Sequence, residues 1–400
     1  MKKQIVTIAA LAMSLNMFAQ QWPVPNQEAK PGTRWWWLGS AVTENDLKWN
    51  LRQFADHGIG AIEITPIYGV QGNEKNNIPF LSPRYMEILK YVNAECKADG
   101  IEFDMATGTG WPFGGPWVPL DESASQMLII DTTVVGKKIK ALDLRPIEKK
   151  RKNTSLVGIY AFSEGKFLKI TTPLVEGTLT TKLPSKGTWR IIALYQKKGV
   201  MAVKRAAPGG AGFVIDHFDK QAVTNYLKHI EEAFEKTGTP YPHTFFNDSY
   251  EVSESDYTPT LFQEFYNRRG YSLEENFDKL VDGDTKVVAD YRETLGDMLL
   301  DNFTRTWTAW AHSHGAITRN QAHGSPANLI DCYAAVDIPE IEGFGLTNFG
   351  IKGLRQDPGK TRKNDSDFSM LKYAPSAAHI MGKPYTSSET FTWLTEHFRT

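Results

Sequence analysis

Short apolar runs alternate with amphipathic stretches in the first third of the chain. Arg34-Trp35-Trp36-Trp37-Leu38-Gly39 reads as a strand whose adjacent indoles occupy both faces, so at least one should point to the inner side of a sheet or its mouth. Thr43 and Asp46 resemble an N-cap pair, Leu47, Leu51 and Phe54 follow at helical spacing, and Gly58 closes the helix. Ile59 to Ile64 reads as the next strand. Ser82-Pro83 opens a helix with Met86, Leu89, Val92 and Cys96 on one face, and Gly100 ends it. Ile101 to Ala106 is a third strand. A strand–helix alternation of this kind predicts a parallel sheet covered by helices.

From Ser123 to Gly212 the rhythm changes. Met127–Val135, Lys138–Leu144, Ser155–Phe162, Phe167–Ile170 and Thr188–Gln196 read as strands separated by Gly, Pro and Ser clusters, without an amphipathic helix. The alternation then resumes. A helix from Asp216 to Lys236 precedes strand four, Thr244–Asn247, and a long helix carries Leu295, Leu299, Phe303, Trp307 and Trp310 on one stripe. Ala316–Asn320, Tyr333–Ile338 and Pro384–Ser388 are expected as strands five to seven, with a helix from Met370 to Gly382. The fold class predicted is α/β, a (β/α)8 TIM-type barrel with an inserted antiparallel β module. Residues 21–122 hold its first part (strands one to three), 123–212 the module, and 213–400 its second part (strands four to seven). The eighth strand is expected beyond Thr400, in a longer polypeptide, because an unclosed barrel leaves exposed edges.

The remaining composition narrows the class of function. A formal net charge of -1 argues against a nucleic-acid partner. Lys2 and Lys3, the apolar run Ile5–Phe18 and Ala19-Gln20-Gln21 resemble an export signal over residues 1–20, followed by no membrane span in the mature chain. The expected location is periplasmic or extracellular. Cys96 and Cys332 have no metal-type spacing; they are buried small hydrophobes or a disulfide.

In a parallel barrel, reactive side chains gather where strands end. Glu251 follows strand four, Glu340 and Glu342 follow strand six, and Glu389 follows strand seven, each in a polar cluster after an apolar run. Paired carboxyl groups flanking one bond are what glycoside hydrolysis needs. Asn247 and Asp248 suit sugar hydroxyls, a hard cation or a turn cap. His323 suits a substrate contact or a structural role, and Asp337 would need a donor or Ca²⁺ beside it. Thr107 to Trp117, rich in Gly and aromatics, carries no phosphate-binding motif and suits a wall for a ring-shaped polar ligand, with Trp111 and Trp37 as candidate contacts.

These segments, namely Arg34-Trp35-Trp36-Trp37, Gly58-Ile59-Gly60, Gly108-Thr109-Gly110-Trp111-Pro112, Asp248-Ser249-Tyr250-Glu251, Gln321-Ala322-His323-Gly324, Asp337-Ile338-Pro339-Glu340 and Ser388-Glu389, resemble glycoside hydrolase family 106, the α-L-rhamnosidases. The resemblance implies a barrel interrupted by β modules, inversion at the anomeric carbon and a Ca²⁺ ion near bound rhamnose. It assigns Glu251 as general acid, Glu389 as general base and Glu342 as a third active-site carboxylate and calcium ligand. The expected partner is an oligo- or polysaccharide, pectic in kind. A retaining barrel glycosidase and a non-catalytic glycan-binding barrel share every residue-level feature.

Overall fold

The computed structural model describes residue 27, residues 30–343 and residues 369–390; the export-like segment 1–20 lies outside the described residues. Seven parallel strands form one sheet in chain order: β1 Gly32–Leu38, β2 Ala61–Ile67, β3 Glu102–Ala106, β4 Thr244–Asn247, β5 Ile317–Asn320, β6 Ile338–Gly343 and β7 Ser387–Thr390. Three of the covering helices are α1 Glu44–Asp56, α2 Pro83–Asp99 and α3 Lys220–Thr237. Their ends follow the local chemistry. Thr43 caps α1 through the Asp46 N–H, Ser82 caps α2 with Pro83 at its first turn, and Gly100, at φ +67°, closes α2 in the left-handed region.

The sheet is strongly curled. Six interstrand steps of roughly 4.8 Å would hold the edge strands about 29 Å apart if the sheet were flat. Instead Arg34 Nη1, from β1, donates to Glu389 Oε2, from β7, at 2.9 Å. The inward-facing side chains of the two edges therefore meet across the hollow.

Alternation along each strand divides the two faces. On β1, Trp35 and Trp37 face the helices, edge-to-face with each other at 5.8 Å, with Trp35 on Phe54 at 5.3 Å and Trp37 on Tyr85 at 6.3 Å. Trp37, 1% exposed, is thus a core residue and not a substrate contact; the indole on the inner face is Trp36, 43% exposed. On β4, Phe245 faces Phe234 and Trp310 outside while Phe246 fills the interior.

The interior is built from charges around that ring. Arg34 and Arg319 stand 4.5 and 5.0 Å from the Phe246 ring centroid. Glu63, 3% exposed, lies between them, accepting from Arg34 Nε at 3.1 Å and Thr65 Oγ1 at 2.7 Å through Oε1, and pairing with Arg319 Nη2 through Oε2. Glu340 pairs with Arg319 at 3.1 Å and Arg34 at 3.6 Å and accepts from Gln321 at 2.8 Å and Ser387 at 2.6 Å. None of these buried charges is left alone, as burial requires.

Between β3 and β4 lies an antiparallel sheet ordered Ser125–Val135, Thr188–Lys198, Thr154–Ser163, Lys166–Ile170. Ile159, Ala161, Ile191 and Ala193 pack within it around Trp189, while Tyr160, Phe162, Ile192 and Leu194 join the main core. One further strand, Thr178–Lys182, pairs with Lys138–Asp143; its short polar sequence gives no apolar signal. The long helix expected downstream runs as Thr285–Met298, a π-helical segment Leu299–Thr304 and Arg305–Ser313, keeping its apolar stripe inward.

Two strand expectations shift. Tyr333 is in a helix, Leu329–Ala334, capped by Asn328, so β6 begins at Ile338. Asp337 therefore sits at the N-terminal end of β6, away from the strand ends that form the site. It accepts from Thr318 N–H at 2.8 Å and bonds with His312 Nε2 at 2.9 Å, which removes it from the expected substrate contacts. Strand β7 starts at Ser387, placing Glu389 within the strand. Cys96 and Cys332 are both free and buried, and among the described residues no helix is long and apolar enough to cross a membrane.

Removing Glu63 takes away one of the two carboxylates, Glu63 and Glu340, that the Arg34 and Arg319 guanidiniums share. Glu63→Ala is expected to lower the unfolding free energy by about 3–5 kcal/mol. Urea denaturation of the variant against the parent measures this, and an unchanged midpoint would mean that the bridge carries no stability.

Candidate active site

The site lies at the C-terminal strand ends. A small pocket is lined by Thr65 of β2, Trp111 and Phe113 after β3, and Phe246, Asn247 and Asp248 at the end of β4. Strand β4 delivers these groups because its apolar pair Phe245-Phe246 is buried on opposite faces, after which the chain turns polar. Asn247 Nδ2 donates to Asn320 Oδ1 at 2.6 Å, and Gln321 N–H donates to the Asn247 carbonyl at 3.0 Å. Tyr250 N–H donates to the His323 carbonyl at 3.1 Å. Gly324, at φ +82°, lies so close to the Tyr250 carbonyl that a Cβ would overlap it. The loops after β4 and β5 are thereby clasped.

Four carboxylates share this end of the sheet. Asp248 and Glu251 come from the loop after β4, Glu342 from β6 and Glu389 from β7. Withdrawal from water pushes Asp248 up to about 7; Arg34, at 3.7 Å, opposes that rise, while Glu389 and Glu342 add to it. Glu342 is also raised, first by burial and then by Glu389 and Glu251, against the pull of His323, whose Nε2 abuts Glu342 Oε2. Asp248 and Glu342 are thus each near Glu389 and near one another, and Glu251 is near Glu342.

Glu251 behaves differently. Burial would raise it, but Lys204 Nζ donates to its Oε2 at 2.6 Å, and Lys204, then the Trp111 indole and Ser249 Oγ (3.3 Å from its Oε1) together hold it below the usual carboxylate range. Glu389 Oε2 accepts from Arg34 at 2.9 Å and Gln321 Nε2 at 2.7 Å, which fixes the carboxyl group from two sides.

The expected residues are thus distributed in three ways. Asp248, Glu251, Glu342 and Glu389 come together; Asn247 and Trp111 line the cavity; and His323 supports Glu342. Glu340 lies deeper, in the Arg34–Arg319 network, and acts on the floor of the site. Trp37 and Asp337 lie elsewhere. Among the described residues no group of three or more His, Cys, Asp or Glu side chains is arranged to hold a metal ion, and Glu342 is engaged by His323.

Sequence reasoning missed Lys204, Arg34, Glu63, Arg319 and Gln321 as parts of the site. Arg34 and Glu63 are register partners in neighbouring parallel strands, a signal available only once the pairing is known. Lys204 lies 47 residues from Glu251 and carries no motif.

The chain is similar to known proteins in sequence and in fold. A family profile described as alpha-L-rhamnosidase, glycoside hydrolase family 106, matches residues 23–152 and 160–400. A protein of Formosa agariphila named putative beta-glucuronidase is 24% identical over 423 residues, covering 92% of this chain and 34% of that protein. A solved rhamnosidase from Novosphingobium sp. PP1Y shares the fold, with a TM-score of 0.67 at 15% identity, covering 91% of this chain and 52% of that one. The chain thus spans about a third of the curated relative and about half of the solved rhamnosidase. With a profile match over nearly its whole length, the chain belongs to glycoside hydrolase family 106.

Proposed function

We propose that this chain carries the catalytic barrel of an exported, inverting α-L-rhamnosidase that removes terminal rhamnose from pectic polysaccharide. The observation that carries the reading is the gathering of Asp248, Glu251, Glu342 and Glu389 at one end of the sheet, beside a pocket that Asp248, Trp111 and Phe113 line. Family membership supports the glycosidase class, and the Lys2-Lys3 start with its short apolar run supports export. Closure of the barrel by an eighth strand supplied by further chain belongs to the same proposal.

In the reaction, Glu251, which Lys204 holds ionised in the free site, first takes a proton from solvent and then gives it to the glycosidic oxygen as the bond from that oxygen to the anomeric carbon breaks. Water attacks the carbon from the opposite face and loses a proton to Glu389. The sugar leaves with inverted configuration, and proton exchange with solvent resets both carboxyl groups. Arg34 and Gln321 both donate to one oxygen of Glu389 and hold its carboxyl group in place. Asn247 and Asp248 are placed to hold sugar hydroxyls against the Trp111 wall. The calcium ion implied by the family resemblance would be held through Glu342 and further oxygen donors, and would help to orient sugar hydroxyl groups.

The relative named putative beta-glucuronidase supports a second reading, in which the sugar bound is a uronic acid; its carboxylate would lie near Arg34. Assaying an aryl β-glucuronide beside an aryl α-L-rhamnoside separates the two.

Glu389→Ala is expected to lower turnover of the complete protein by about 10²–10⁴-fold on any rhamnoside. Glu251→Ala should lose as much on a rhamnosyl disaccharide and far less on a nitrophenyl rhamnoside, because nitrophenolate leaves without a proton. Equal losses on both substrates would remove Glu251 from the acid role. NMR of the first-formed rhamnose should show the β anomer; the α anomer would establish retention.

A further inference from the structure

The segment returning from the inserted module to the barrel is held on three sides. Lys204 N–H donates to the Trp111 carbonyl at 2.9 Å, and Trp111 N–H donates to the Lys204 carbonyl at 3.2 Å. Tyr68 N–H, after β2, donates to the Arg205 carbonyl at 3.1 Å, and the Arg205 guanidinium lies 5.7 Å from both the Tyr68 and Trp111 ring centroids. Gly110, at φ +55°, packs so tightly here that a Cβ would overlap the Lys204 carbonyl. The Lys204 backbone is therefore fixed beside the cavity wall, and its ammonium reaches Glu251 at 2.6 Å.

We propose that Lys204 is a positioning residue for catalysis, aiming the Glu251 carboxyl group and setting the pH at which it holds its proton. This rests on the acid role given to Glu251 above. Among the described residues, the charged groups that act on Glu251 are Lys204, from the returning segment, and Glu342, from β6; Trp111 and Ser249 are its neutral donors. Lys204 attracts the ionised form and Glu342 repels it. With Lys204 removed, burial and Glu342 remain without their main opponent, so Glu251 keeps its proton to higher pH. A proton donor loses activity as the pH rises through its own value, so the alkaline limb of the kcat/KM profile reports Glu251 in the free enzyme. The inserted module thus contributes to the chemistry through the strap that leads out of it.

The test is the pH profile of kcat/KM for a rhamnosyl disaccharide, measured with the complete protein. Lys204→Met should move the alkaline limb upward by about one pH unit, and Lys204→Arg should restore it. The ion pair is solvent-exposed, so the melting temperature should hardly change. In a Glu251→Gln background, Lys204→Met should have no further effect on the profile. An unmoved profile in Lys204→Met, or an equal shift in the Glu251→Gln background, would overturn the proposal. A shift confined to the acid limb would support Lys204 as the partner of Glu251 while reversing that residue's role from acid to base.

Discussion

A carboxylate shut away from water stays charged only if cations close around it, and Glu63 obtains its cations from different parts of the sheet. Arg34 comes from the neighbouring strand β1 and Arg319 from β5, and both lie against the ring of Phe246. The arrangement is possible only in a curled sheet, where side chains from well-separated strands meet inside. Coulombic attraction in such a setting offsets a desolvation penalty of several kcal/mol per ion, and losing one partner exposes that penalty in full. The interior of the curled sheet is thus a polar scaffold rather than an oily plug, and its geometry is directional.

That scaffold also orders the site above it. Arg34 extends from Glu63 and Glu340 in the floor to Asp248 and Glu389 at the rim. One guanidinium therefore links structural charge to reactive charge. The carboxylates at the rim crowd one another, and each meets a different neighbour: Arg34 for Asp248 and Glu389, Lys204 for Glu251, His323 for Glu342. Acids of nearly equal intrinsic strength are thereby driven apart in their readiness to hold a proton, which is the condition for dividing acid and base roles between them.

Much of the scaffold was legible in the chain itself. Ser82-Pro83 and Gly100 bound a helix because their backbone preferences are local, and Thr244–Asn247 is a strand because two phenylalanines precede a polar turn. The strand-end carboxylates were legible for the same reason. Parity was not. Three adjacent tryptophans satisfy either face, and only packing against Phe54 and Tyr85 decides that Trp36, and not Trp37, looks inward. The apolar run around Tyr333 suited a strand equally well, yet Asn328 caps it as a helix and so carries Asp337 to the wrong end of β6. Arg34, Glu63, Arg319 and Lys204 were invisible as site residues because isolated charges are normally solvated, and their partners are set by pairing across the fold.

The account stands on one claim: that Glu251 and Glu389 face a single sugar ring from opposite sides, with Arg34 steadying the second. The most direct measurement is a crystal structure of the complete protein holding a rhamnose-bearing ligand at this site. The account predicts carboxyl groups about 6.5–9.5 Å apart across the anomeric carbon, with room for one water beside Glu389. A separation of about 5 Å, or a ligand seated away from Arg34 and Trp111, would contradict it.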